Sequence, residues 1–138
     1  MSIQDKIIYY KDSLEYFDDT MEKYKFLLEQ GKKNNNFPEE YRKVDFLVPG
    51  CQAKVWLVPK LYKQKLNFYC DSDAFLTKGM IVILVDIYGS NKPIDILNAD
   101  FDLVKTFKLN SLLTPGRTNG VYAMLKKLKD YAEVFSKK

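Results

Sequence analysis

Two short alternating segments, followed at once by a long apolar one, constrain this chain more than any other feature. Over residues 53 to 58, Ala53, Val55 and Leu57 fall on one side. Over residues 65 to 70, Leu66, Phe68 and Cys70 do the same. A period of two is the mark of half-buried strands. If Val58 pairs with Lys65, then Leu57 opposes Leu66, Val55 opposes Phe68 and Ala53 opposes Cys70, so the apolar side chains share one face. The segment from Ala74 to Tyr88 follows, apolar on most sides between Met80 and Ile87. It reads as a buried central helix ended by Gly89. Its longest apolar run, Met80 to Val85, is far too short for a membrane span.

The flanking segments read as helices. Ser2, with Asp5 three residues on, makes a capping box, and Ile3, Ile7, Tyr10, Leu14 and Phe17 recur at helical spacing. Asp18 and Asp19 introduce a second helix, with Gly31 as its stop. Pro38 starts a short turn. Residues 93 to 97 form a short helix, and Asp100 caps another. Thr114-Pro115 reads as an N-cap with proline at the first helical position. The last helix carries Val121, Met124, Leu125, Leu128 and Phe135 on one face. The expected class is α+β: a small antiparallel sheet packed against several helices in a single domain spanning residues 1–138. Hydrophobic residues make up 46% of the chain, with 9 Phe and 10 Tyr, enough for a core of that kind.

What is missing narrows the chemistry. The chain has no histidine and only two cysteines. Cys–His and Ser–His nucleophile pairs are excluded, and so is a closed zinc site of Cys and His ligands. An iron–sulfur scaffold needs more ligands than two thiols. A thiol peroxidase or cysteine hydrolase would lack a base. Two cysteines make no disulfide framework, and the first residues lack a basic segment followed by a long apolar run. No secretory leader is expected, and the expected compartment is the reducing cytoplasm. The net charge is a mild +4. The lysines near the C-terminus read as a solvated helix face, so neither nucleic acid nor membrane is expected as a partner.

Cys51 stands out by position. It follows Pro49-Gly50 where a loop enters the hairpin, and glycine allows both a tight turn and close approach. Cys70 falls on the inferred core side and reads as a small buried hydrophobe. The run Val48-Pro49-Gly50-Cys51-Gln52-Ala53-Lys54-Val55-Trp56 resembles the GCQSxVW signature of the SufE family. Asp71-Ser72-Asp73-Ala74 with Lys78-Gly79, and Leu113-Thr114-Pro115-Gly116-Arg117-Thr118-Asn119-Gly120, are similar to two further segments of that family, in the same order and spacing.

The resemblance implies a SufE fold, itself similar to IscU-type scaffolds. It implies that Cys51 accepts sulfane sulfur from a cysteine desulfurase of the SufS or CsdA kind, stimulates that enzyme, and delivers the sulfur to a SufBCD-like iron–sulfur scaffold complex. Pyridoxal phosphate would belong to the desulfurase, and no resident cofactor is expected here. The chain would then be a sulfurtransferase-like carrier rather than a stand-alone enzyme. The competing reading is a regulator that binds the desulfurase without accepting sulfur.

With no histidine, activation of Cys51 must come from cations, backbone N–H groups or the partner. Arg117, on the first turn of the last helix, is the candidate cation, with bonding of loop carbonyls as its alternative role. Gly50 and Gln52 support the loop. Asp71, Ser72 and Asp73 read as helix caps with a second role beside the thiol, Ser72 falling opposite Cys51. Two departures from the family pattern stand out: Leu112 where histidine is frequent, and Gly116 where serine is. In the inferred register Cys70 is a diagonal neighbour of Cys51.

Overall fold

The computed structural model describes residues 1–138. Two helices, α1 (Ile3–Tyr16) and α2 (Thr20–Lys32), lead through short 3₁₀ turns at Glu39–Tyr41 and Val44–Phe46 to a two-stranded antiparallel sheet. Strand β1 (Val55–Tyr62) and strand β2 (Lys65–Ser72) form that sheet. They are followed by α3 (Phe75–Tyr88), α4 (Pro93–Leu97), α5 (Leu103–Thr106) and the long α6 (Pro115–Ser136). The α+β expectation holds.

The helix ends follow local chemistry. Ser2 and Asp5 form the full capping box on α1. The Asp19 side chain accepts from the Met21 N–H at the start of α2. Proline occupies the first turn of both α4 and α6. Helix α3 is the core element, with Gly79, Met80, Ile81, Ile83, Leu84, Ile87 and Tyr88 all buried. It packs against α1, α2, α6 and both strands. From α6, Val121, Met124, Leu125, Leu128 and Ala132 join the same core as a spaced apolar stripe.

Three expectations need correction. The strands pair in a register slid by four residues: Leu57 faces Cys70 and Val55 faces Ser72, while Tyr62 faces Lys65. The expected loop over residues 59 to 64 shrinks to a two-residue turn. Lys63 and Gln64 both have positive φ (50° and 68°), the backbone of a type I′ hairpin turn. Pro59 therefore lies inside β1, opposite Phe68. Its missing N–H does no harm, because it alternates with Val55 and Leu57, whose carbonyls point away from β2 to Val48 and Tyr131.

Second, Gly31 is not the stop of α2 but lies buried within it, and Lys33 caps the helix. The glycine serves packing instead. A Cβ on Gly79 of α3 would sit 2.1 Å from the Leu27 carbonyl oxygen, and one on Gly31 would sit 3.1 Å from the Gly79 nitrogen. Backbone meets backbone where the two helices cross. Third, Asp71, Ser72 and Asp73 do not cap α3, and Asp100 does not cap α5. Asp71 and Ser72 belong to β2, Asp73 Oδ1 bonds the Lys54 N–H, and the N-cap residues are Ala74 for α3 and Asp102 for α5, neither with a side-chain cap. The longer hairpin takes the residues that the cap reading assigned to the helix.

Candidate functional site

The Cys51 loop springs from a closed base. The Val48 N–H donates to the Val55 carbonyl at 2.8 Å, and Leu47 bridges to Trp56 along the free edge of β1. Trp56 is held in turn by the Arg42 guanidinium, which sits 4.8 Å from its ring centre and 4.9 Å from that of Phe37. Arg42 also bonds Glu39, and it pairs with Asp71 at 2.9 Å. At the other end of the loop, Asp73 Oδ1 accepts from the Lys54 N–H at 3.0 Å, while the Asp73 N–H donates to the Lys54 carbonyl at 3.2 Å.

Between these ties the chain lies along one face of α6. Gly50, at φ +90°, would meet Ala123 if it carried a Cβ. The Cys51 S–H donates to the Gly120 carbonyl, Sγ to O 3.6 Å. The Gln52 amide rests on Gly116, where an added Cβ would lie 2.7 Å from its terminal atoms. Residues 116, 120 and 123 share one side of a helix. Three small residues thus give the loop a flat seat, and Gly50 supplies the backbone turn that β-carbon-bearing residues resist.

The thiol borders a cavity of about 290 Å³ lined by Cys51, Gln52 and Ala53, by Ala74 and Thr77 of α3, and by Gly116, Arg117 and Gly120 of α6. Two helices begin at this cavity. Their first-turn N–H groups carry partial positive charge and favour an anion nearby. Cys51 itself is half-buried, and burial pushes its thiol above the ordinary cysteine value. No cation offsets that effect in the free protein. Arg117 is exposed on the wall of the same cavity.

The structure thus brings Cys51, Gln52 and Arg117 to one cavity and sets Gly50 at its turn. Asp71 stands apart, half-buried between Arg42 and Lys78. Ser72 faces Val55 rather than Cys51, and its Oγ accepts from the Ala74 N–H. Asp73 ties the loop end to the start of α3. Cys70 is buried opposite Leu57. It is not the diagonal strand neighbour of Cys51, because Cys51 lies outside the paired residues. Leu112 is buried, so the place where histidine is frequent is an apolar contact here. Ala74, Thr77, Gly116 and Gly120 were not anticipated as lining residues. The one sequence signal for them was the pair of glycines four apart at the head of the last helix.

This chain matches the family described as "SufE: Fe-S metabolism associated domain" over residues 9–132. It is 36% identical over 116 residues to the cysteine desulfuration protein SufE of Wigglesworthia glossinidia brevipalpis, covering 80% of this chain and 78% of that protein. It is 30% identical over 139 residues to an uncharacterized SufE-like protein of Rhizobium etli, covering 97% of this chain and 92% of that one. The solution structure of a hypothetical protein from Thermus thermophilus superposes with a TM-score of 0.79 over 96% of this chain and 97% of its own length. At 18% identity, that likeness speaks for the fold. With most of its length matched by the family and by these relatives, the chain belongs to the SufE family.

Proposed function

We propose that Cys51 accepts a sulfur atom from the persulfide of a pyridoxal-phosphate-dependent cysteine desulfurase, so stimulating that enzyme, and passes it on for iron–sulfur cluster assembly by a SufBCD-like scaffold. The observation that supports this most is the placing of the one half-exposed thiol at a cavity where two helices begin. The two free thiols suit a reducing compartment, the cytoplasm.

The chemistry is attack by a thiolate on divalent sulfur. Cys51 Sγ loses its proton and attacks the terminal sulfur of the donor's persulfide. A new S–S bond forms on Cys51 while the donor's S–S bond breaks. The electron pair of the broken bond stays on the donor cysteine, which leaves as a thiolate and takes up a proton. No outside oxidant or reductant is consumed. The cavity gives the added sulfur a place, and the N–H groups at the heads of α3 and α6 favour its negative charge.

Burial disfavours thiolate in the free protein, so the step gains from anything that adds positive charge or opens the loop when the donor docks. Arg117 is the residue placed to do so.

The test is mass spectrometry after incubation with a purified cysteine desulfurase and cysteine. The Cys51 peptide gains the mass of one sulfur atom, and Cys51→Ser gains none. A Cys51→Ser chain that stimulates the desulfurase as well as the native chain does would leave a regulator, not an acceptor. In the same series, the pH profile of Cys51 transfer moves upward in Arg117→Ala; an unmoved profile removes Arg117's electrostatic role.

A further inference from the structure

Beside the Cys51 cavity lies a second depression, on the adjoining face of the α3 N-terminus. It holds about 240 Å³ and is lined by Leu28, Gly31, Lys32, Phe75 and Lys78. It lies beside the crossing of α2 and α3, where Gly31, which carries no side chain, forms part of its wall between Leu28 and Phe75. Phe75 is the first residue of α3 and is 83% exposed. The neighbouring residues of that helix, Ala74 and Thr77, line the Cys51 cavity. One helix end thus separates the thiol's cavity from an apolar notch rimmed by an exposed aromatic ring.

We propose that Phe75 and this notch are the anchor point for the protein that donates sulfur to Cys51, with Phe75 covered and an apolar side chain of the donor seated beside it. The inference rests on the acceptor reading of Cys51 and adds where the donor holds on. Two arguments carry it. The first is area. A specific protein contact covers roughly 800 Å² on each partner. A donor that delivers sulfur to Cys51 must lie over its cavity, and a patch of that size centred there includes the adjoining residue of the same helix end. The second is size. The notch is smaller than the roughly 300–1,000 Å³ of small-molecule sites, but it suits one side chain. Exposed aromatic anchors beside such pockets are where binding energy concentrates.

The test is titration of a purified cysteine desulfurase with native chain, Phe75→Ala, Phe75→Leu and, as control, Tyr16→Ala. Tyr16 is 80% exposed on α1 and lines neither cavity. Phe75→Ala is expected to raise the Kd and the KM for sulfur transfer by roughly 10- to 50-fold, with the saturated transfer rate unchanged. Phe75→Leu recovers most of that loss, and Tyr16→Ala matches the native chain. Phe75 is exposed, so all variants keep the native Tm.

A Phe75→Ala chain that binds within about twofold of native while Cys51 still gains sulfur overturns the anchor and leaves the acceptor reading intact. A native chain whose Cys51 gains no sulfur overturns the acceptor reading, and the anchor with it. A native chain that dimerises through this face, with Phe75→Ala monomeric, overturns the anchor by assigning the notch to a second copy.

Discussion

The two cysteines of this chain show how one side chain serves opposite ends. Cys70 sits within β2, 3% exposed, facing Leu57, and burial pushes its thiol up to about 12. Cys51 sits on a loop outside the paired strands, half-buried, with its S–H on a helix carbonyl and a solvent-open cavity beside it. Both are disfavoured as thiolates by desolvation. The difference is in what it takes to lift that penalty. Relieving Cys70 means breaking the sheet and its packing on α3. Relieving Cys51 means parting one weak S–H bond and one amide from a glycine. A reactive thiol need not be ionised at rest; it needs a low cost of exposure.

The largest test of this contrast is alkylation of the folded protein at mildly alkaline pH. Cys51 is expected to react at least 100-fold faster than Cys70, which becomes reactive only on unfolding. Comparable rates, read by mass spectrometry of the two peptides, would erase the distinction.

Next in size is the stability effect of Cys70→Ser. It places a smaller, more polar hydroxyl in a buried site whose sulfur has the Asn34 amide 4.0 Å away, and is expected to cost about 1–3 kcal/mol in denaturant unfolding, with sulfur acceptance at Cys51 unchanged. The same variant carries a pH signature. An unfolded cysteine ionises near ~8.5, whereas folded Cys70 stays protonated up to about 12. The unfolded state therefore sheds its proton first. Cys70 leaves stability untouched below that unfolded value and lowers it as pH rises toward the folded value. Cys70→Ser should reduce the loss between about pH 8.5 and 10, leaving the part that comes from Cys51, whose thiol is also raised by burial. Above that range Tyr10 and Tyr88, also raised by burial, contribute in the same direction. A native chain whose stability does not change across that window would contradict the buried-thiol assignment.

The smallest expected effect sharpens the other side of the comparison. In Gly116→Ala the new methyl takes the place of the Gln52 amide, which is the flexible end of its side chain and can move aside. Losing that contact is expected to speed Cys51 alkylation by roughly 2- to 10-fold, while Cys70 stays silent. An unchanged rate would mean that the Gln52 contact does not restrain the loop.

Much of this was legible in the sequence. Ser2 with Asp5 marks a helix start through bonds between near neighbours, and Pro115 marks another through its fixed φ at the first helical position, without a side-chain bond from Thr114, so local reading suffices. The central helix announced itself by being apolar on most sides. The strand register did not. A slide of four residues keeps every side chain on its own face, so alternation cannot distinguish Leu57 opposite Leu66 from Leu57 opposite Cys70. Only the unexpected turn at Lys63 and Gln64, two residues that rarely adopt positive φ, fixed it. Gly31 was misread because a glycine near a helix end has two physical uses, and its true one depends on Gly79, distant in sequence. Of the site, Cys51 was legible from its turn and motif. Its seat was not, because Gly116 and Gly120 matter through what rests on them, and packing between distant segments leaves little local trace.

The hydrogen bond that joins Val48 to Val55 has a mechanical consequence. It works as a hinge pin: the arc from Pro49 to Lys54 is moored at both feet, so its crest can pivot without unzipping the hairpin behind it. Displacement of the sulfur-bearing tip is thereby uncoupled from global unfolding. A shift of that crest would leave the strands and the core helices assembled.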